Sequence, residues 1–312
     1  MSNIKKSWTN SFITTLKFLR LIGEIFPPNT NLLRYITDNE IPTWAPILSK
    51  DIGCIKSNID EIDGEWIYPK KIKGKKKHIK YILYIHGGAF CLCKPGTYRG
   101  LLYELAEKTN SIIFTVNYRK SPEFKYPIPL NDCIKAYLHL LNKINNRKKI
   151  ILVGDSAGGN LVINLLAKLI INDIPIPSKC VLISPWTDLT DYNTNPSWTI
   201  NSKYDFITSE LAKYFSYEYI DTTKNNLKEV SPLYLSDDIL SKFPSILVEY
   251  GECEVLRDQI EQFCKKIENL GVNIIYNCRK DMIHDFPLFN FTGITQSNEF
   301  FNSFKIFIEN KN

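Results

Sequence analysis

Ile150-Ile151-Leu152-Val153-Gly154-Asp155-Ser156-Ala157-Gly158-Gly159-Asn160 carries a short apolar run into a glycine-rich turn with a serine at its centre. The run is uncharged and rich in β-branched residues, as a strand buried on both faces is. Beyond the turn, Leu161, Leu165 and Leu169, with Val162 and Leu166, recur at helical spacing. Gly-x-Ser-x-Gly between a strand and a helix is the pattern of a nucleophile elbow. Its sharp turn lifts the serine hydroxyl clear of the backbone. Small residues at Gly154 and Gly158 let so strained a turn pack closely.

Working outward, five more apolar runs read as buried strands: Tyr81-Ile85, Ile112-Val116, Cys180-Ile183, Ile246-Tyr250 and Val272-Tyr276. Helical periodicity falls between and after them, at about Thr97-Lys108, Asp132-Ile144, Gly158-Ile171, Arg257-Leu270 and Asn298-Ile308. Alternation of this kind predicts an α/β fold, a mostly parallel, doubly wound sheet with helices on both faces. Two segments stand outside the alternation, residues 1 to about 45 and the stretch from Ile183 to Ser245. Together, about 1–45 and 187–230, they are expected to form a helical cap over the C-terminal edge of the sheet, where open α/β proteins bind ligands. The 312 residues then make one capped domain.

Composition narrows the function. With 44% hydrophobic residues the chain can bury a large core. It holds no run of about 18 uncharged apolar residues, so no transmembrane helix is indicated. The N-terminus lacks a secretory signal pattern, which predicts a cytoplasmic protein. Trp8, Phe12, Leu16, Leu19, Ile22 and Phe26 recur at helical spacing, interrupted by Lys17, Arg20 and Glu24. That is an amphipathic helix laid over its own domain rather than a membrane anchor. Seven lysines between Lys70 and Lys80 more than account for the net charge of +6. They read as a solvated turn, and nothing else suggests nucleic acid. The 8 cysteines form no Cys-x-x-Cys pair. Cys91 and Cys93 lie close in sequence to His86, but no second cluster completes a zinc site, and no metal or organic cofactor is expected.

A serine nucleophile needs a base, an acid to orient the base, and donors for an oxyanion. The chain has 4 histidines, at 78, 86, 139 and 284. His78 lies in the lysine run and His139 in a helix. His86 ends a strand, where it is placed to hold a loop. His284 follows the last strand and fits the chain order serine, acid, histidine, so it is the candidate base. The acid should follow the preceding strand, where Glu252, Glu254 and Asp258 are all candidates. His86-Gly87-Gly88-Ala89-Phe90 offers backbone N–H groups unobstructed by side chains, to be joined by that of Ala157.

These blocks resemble the hormone-sensitive-lipase group of α/β-hydrolases, which includes arylacetamide-deacetylase-like enzymes and bacterial carboxylesterases. The resemblance covers about residues 80 to 290. It rests on His86-Gly87-Gly88-Ala89-Phe90, on Asn117-Tyr118-Arg119-Lys120-Ser121-Pro122-Glu123 with Pro127 and Asp132, and on Gly154-Asp155-Ser156-Ala157-Gly158-Gly159-Asn160. Ser184-Pro185-Trp186, Ser231-Pro232-Leu233 and His284-Asp285-Phe286 continue it. The resemblance implies Ser156, Glu254 and His284 as the triad and Gly87, Gly88 and Ala157 as oxyanion donors. It also implies a bracing role for the tyrosine–arginine block. Two departures stand out: Ala89 replaces the third glycine of the family's His-Gly-Gly-Gly, and a glutamate takes the place of the family's aspartate. Asp258 remains the other acid.

The expected activity is hydrolysis of short- to medium-chain carboxylic esters through an acyl-enzyme, with a small-molecule ester as partner. An amide or acetyl-group hydrolase uses the same machinery. A non-catalytic small-molecule receptor on this scaffold would be marked by loss of the serine or histidine, and both are present.

Overall fold

The structure, a computed structural model, describes residues 4–25, 28–40, 50–59, 61–72, 74 and 79–310. His78 and most of the lysine-run turn lie outside them, as do Phe26 and the end of the first expected cap segment. In chain order the elements are α1 (Asn10–Ile25), α2 (Thr30–Tyr35), β1 (Ile52–Ile59), β2 (Ile62–Pro69), β3 (Tyr81–Ile85), α3 (Arg99–Thr109) and β4 (Ile112–Val116). There follow α4 (Ile128–Ile144), β5 (Ile150–Asp155), α5 (Ser156–Ile171), β6 (Lys179–Ile183), α6 (Pro196–Asn201) and α7 (Ser209–Tyr219). The chain ends with α8 (Asp237–Leu240), β7 (Ser245–Gly251), α9 (Arg257–Asn269), β8 (Ile274–Arg279) and α10 (Thr295–Glu309).

The strands form one sheet in the order β1-β2-β4-β3-β5-β6-β7-β8. β1, β2 and β4 pair antiparallel, and every pairing from β4 to β8 is parallel. Successive side chains of a strand point to opposite faces, and two apolar cores follow. Leu83, Leu152 and Leu182 pack with α4, α5 and α9 on one face. Tyr84, Val153 and Val181 pack with α1, α3 and α10 on the other.

Several boundaries differ from the sequence reading. The β1–β2 hairpin extends the sheet antiparallel, at an edge where alternating polar residues hide the strand signal. β8 begins two residues later than expected and runs on to Arg279. There a buried ion pair of Arg279 with Glu249, at 2.7 Å, replaces apolar packing. α4 starts at Ile128, with Pro129 in its first turn, where a missing N–H does no harm.

As the spacing predicts, α1 packs its apolar face on the domain. Phe12 is fully buried, with its ring centroid 5.5 Å from that of Phe289 and 5.3 Å from that of Trp8. The Trp8 indole N–H donates to Asp281 O at 2.7 Å. Phe12→Ala is therefore expected to lower stability by about 3 kcal/mol or more. Leu21→Ala, on the exposed side of the same helix, is expected to change little. Thermal melting of the two variants checks both; equal melting points would mean that α1 is not held by this face.

Candidate active site

β5 ends at Asp155 and α5 begins at the next residue, so the elbow is a direct strand-to-helix turn. Ser156 takes φ of +50°, a strained left-handed conformation for a residue with a side chain, and its hydroxyl stands off the first turn of α5. Close packing enforces the turn: a Cβ on Gly158 would strike the carbonyl of Ile85. Such a contact admits only glycine.

Ser156 and His284, from the turn after β8, meet across the sheet edge at 2.9 Å. The Ser156 hydroxyl donates to His284 Nε2 when the ring proton is on Nδ1. That proton faces Glu254 Oε2 at 3.2 Å. Glu254 and His284 are buried, and burial pushes the Glu254 carboxyl up to about 7. The resemblance singled out Glu254 among three acids, and it is Glu254 that meets the imidazole. Asp258 turns away: its carboxylate accepts from Ser197 N at 2.8 Å and pairs with Arg257. Glu252 stays partly exposed and accepts from Asp281 N at 3.0 Å.

The turn that carries Glu254 is fastened by the segment that precedes α7. Asp205 accepts from Val255 N at 2.8 Å, Asn201 donates to Glu254 O at 2.8 Å, and the Ser197 hydroxyl donates to Val255 O at 2.7 Å. Cys253 N donates to Met282 O at 2.7 Å, which ties the acid's turn to the base's turn. Nothing in the spacing of Ser197, Asn201 and Asp205 relative to the motifs announces these contacts.

The loop of residues 86–93 lies beside the serine. Gly88 has φ of +98°, and Ala89 and Phe90 are also left-handed. One sequence expectation is corrected here. The Gly87 N–H does not face the cavity but donates to both carboxylate oxygens of Asp155 at 3.0 Å. Tyr84 and Tyr98 hydroxyls donate to the same carboxylate at 2.8 and 2.9 Å. Gly87 is thus an anchor point of the loop. The N–H groups of Gly88, Ala89 and Ala157 have no acceptor among the described residues. Gly88 and Ala89 line the cavity with Ser156. The sequence clue to Ala89 is its place as the third residue of the small-residue run after His86.

His86 is a strut, as its place at a strand end implied. It is buried, its ring stacks on Tyr118 with centroids 4.5 Å apart, and Nδ1–H donates to Gly87 O at 2.8 Å. Burial and the nearby Lys120 charge depress its pKa to about 3, so it stays neutral. Tyr118 donates to His86 O at 2.9 Å, and Arg119 holds Asp132 of α4 through two nitrogens. Arg34 of α2 donates to Cys91 O at 2.8 Å and Ser121 O at 2.6 Å, which binds the N-terminal segment to the same loop. Nothing in the spacing of residues 30–35 announces that contact.

Ser156 opens into a cavity of about 270 Å³ with strongly apolar walls. Leu19, Ile22, Leu33 and Ile36 come from the N-terminal segment, and Ile207, Leu211 and Phe215 from the stretch between β6 and β7. His139 in α4 does not line it. Among the described residues, Glu252, Cys253 and Asp281 are close enough together to share an ion, but the Lys5 ammonium already lies 3.6 Å from Asp281. No helix among the described residues is long and apolar enough to cross a membrane.

Residues 82–288 match a family described as having the alpha/beta hydrolase fold. An esterase of Acinetobacter venetianus is 33% identical over 223 residues, 71% of this chain and 72% of that one. Arylacetamide deacetylase of Bos taurus is 24% identical over 96% of this chain and 92% of its own. The crystal structure of an esterase from the bacterial hormone-sensitive lipase family superposes with a TM-score of 0.86 at 26% identity, over 98% of both chains.

Proposed function

The chain belongs to the α/β-hydrolase fold family, and from that membership we propose that it is a serine carboxylesterase with Ser156, His284 and Glu254 as its triad. The observation that carries this reading is the run of contacts from Ser156 Oγ through the imidazole to Glu254 at the floor of an apolar cavity. The described residues of segments 1–45 and 187–230 act as one cap that shapes that cavity.

In this reading Ser156 Oγ attacks the ester carbonyl carbon while His284 Nε2 takes its proton. The N–H groups of Gly88, Ala89 and Ala157 receive the oxyanion; each such donor is worth roughly 10²–10³ in turnover. Collapse of the tetrahedral intermediate breaks the bond to the alcohol oxygen, which leaves with the proton from His284. Water, deprotonated by His284, then cleaves the acyl-serine ester. Glu254 keeps the other ring nitrogen protonated throughout.

Substrates are small esters whose acyl or alcohol part is apolar, because the cavity walls offer few polar partners. p-Nitrophenyl esters from acetate to palmitate should show the highest kcat/KM at short to medium length. A maximum at palmitate would sink that specificity. Rapid-quench mass spectrometry during turnover of p-nitrophenyl butyrate should find butyrate on the Ser156 peptide. An unmodified peptide, with turnover under way, would overturn the acyl-enzyme. The bovine relative's name favours a second reading, cleavage of aryl acetamides by the same groups. Parallel assays of nitrophenyl acetate and nitroacetanilide decide between them.

A further inference from the structure

His284 has a second carboxylate beside it. Asp285, the next residue, folds back so that its Oδ2 lies 3.2 Å from His284 Nε2, the nitrogen that also meets Ser156. The Asp285 side chain is almost wholly buried, its N–H donates to Ser184 Oγ at 3.1 Å, and its Oδ1 has no hydrogen-bond partner among the described residues. Its backbone is left-handed, φ +51° and ψ +34°, a conformation that aspartate tolerates better than most residues but glycine adopts without strain. An unpartnered buried carboxylate oxygen on a strained residue beside the reacting nitrogen calls for a functional account.

We propose that Asp285 is a charge partner of the base on its nucleophile side, stabilising the imidazolium that forms when Ser156 gives up its proton and so setting the pH at which the enzyme starts to work. This rests on Ser156 and His284 being nucleophile and base. While the imidazole is neutral, Nε2 carries a lone pair and has nothing to donate to Asp285. Once Nε2 takes the proton, its N–H faces that carboxylate and a charge-assisted hydrogen bond becomes available. The interaction is thus stronger along the reaction path than before it, the condition for helping the chemical step.

The surroundings must be counted with Asp285. Glu254 faces Nδ1 from the turn after β7, Asp205 approaches from the cap, and the Phe206 ring lies 6.0 Å from the imidazole. Behind Asp285 lies Asp155, which accepts from Tyr84, Tyr98 and Gly87 N–H; burial and then the Asp285 charge nonetheless push its carboxyl well above the usual carboxylate range. Burial works to lower the His284 pKa, but Asp285 first and then Glu254 outweigh it and hold it well above its ordinary value. An imidazolium cannot accept a proton, so the acid limb of the pH–rate profile should stand above about 6.5, the ordinary histidine value.

The test is the kcat/KM profile of the parent, Asp285→Asn and Asp285→Gly on p-nitrophenyl butyrate. Both variants should move the acid limb down by about one to three pH units, the range that an adjacent opposite charge produces. Asparagine tolerates the left-handed backbone and glycine relieves it, so melting points should hold. The His284 ring-proton resonance, followed in Ser156→Ala with and without Asp285→Asn, gives the same shift without turnover. A limb and a resonance that titrate alike in parent and variants would overturn the proposal and leave Asp285 a backbone fixture. A Ser156→Ala enzyme that still turned over would instead strike at the nucleophile itself.

Discussion

Ser156→Ala is expected to lower kcat by about 10⁶, the loss seen when the nucleophile of a serine hydrolase is removed. The fold should survive, because alanine meets the same left-handed backbone at φ +50° and gives up one hydroxyl contact with His284. That contact contributes about 1 kcal/mol. Some rate above water should remain, since the donors of the 86–93 loop and the cavity are untouched. Labelling by an organophosphate should vanish with the hydroxyl. A variant within tenfold of the parent, with its melting point unchanged, would take the nucleophile away from Ser156.

Glu254→Gln should follow with a loss on the order of 10²–10⁴, as when the orienting acid of a triad is made neutral. The amide either turns its oxygen to Nδ1 without a charge or its NH₂ towards it, which favours the wrong tautomer. Asp258→Asn should lose far less. Its carboxylate braces Ser197 and Arg257 and makes no contact with the imidazole. Combining Glu254→Gln with Ser156→Ala should lower the rate hardly further than Ser156→Ala alone, because groups that act as one unit do not add. Equal losses from Glu254→Gln and Asp258→Asn would mean that the turn after β7 presents its acids differently in solution.

Much of this was legible in the chain because its signals are local. The central parallel strands are apolar on both faces, so each shows as a run, and the elbow is contiguous in sequence. Elimination among the 4 histidines, together with chain order, singled out His284 as the base. The β1–β2 hairpin was not legible: it is the edge of the sheet, and Lys56, Asn58 and Asp63 break the run. The assignment of Gly87 as a donor failed for a tertiary reason. Asp155 lies 68 positions away, and only the folded sheet shows that it holds that amide. The second carboxylate was plain in the letters His284-Asp285, but its direction is set by a left-handed backbone angle that no spacing reveals.

The fastening of the Glu254 turn by Ser197, Asn201 and Asp205 has a consequence for how such an enzyme can change. In the proposed reading, the stretch that lines the cavity also holds the turn that aims the imidazole, so the two are one mechanical piece. A chimera that received a foreign stretch in place of residues 187–230 would inherit a new preference and lose the hold on its acid together. New substrates are therefore reached more safely by exchanging single wall residues such as Leu211 or Phe215 than by transplanting the whole lid.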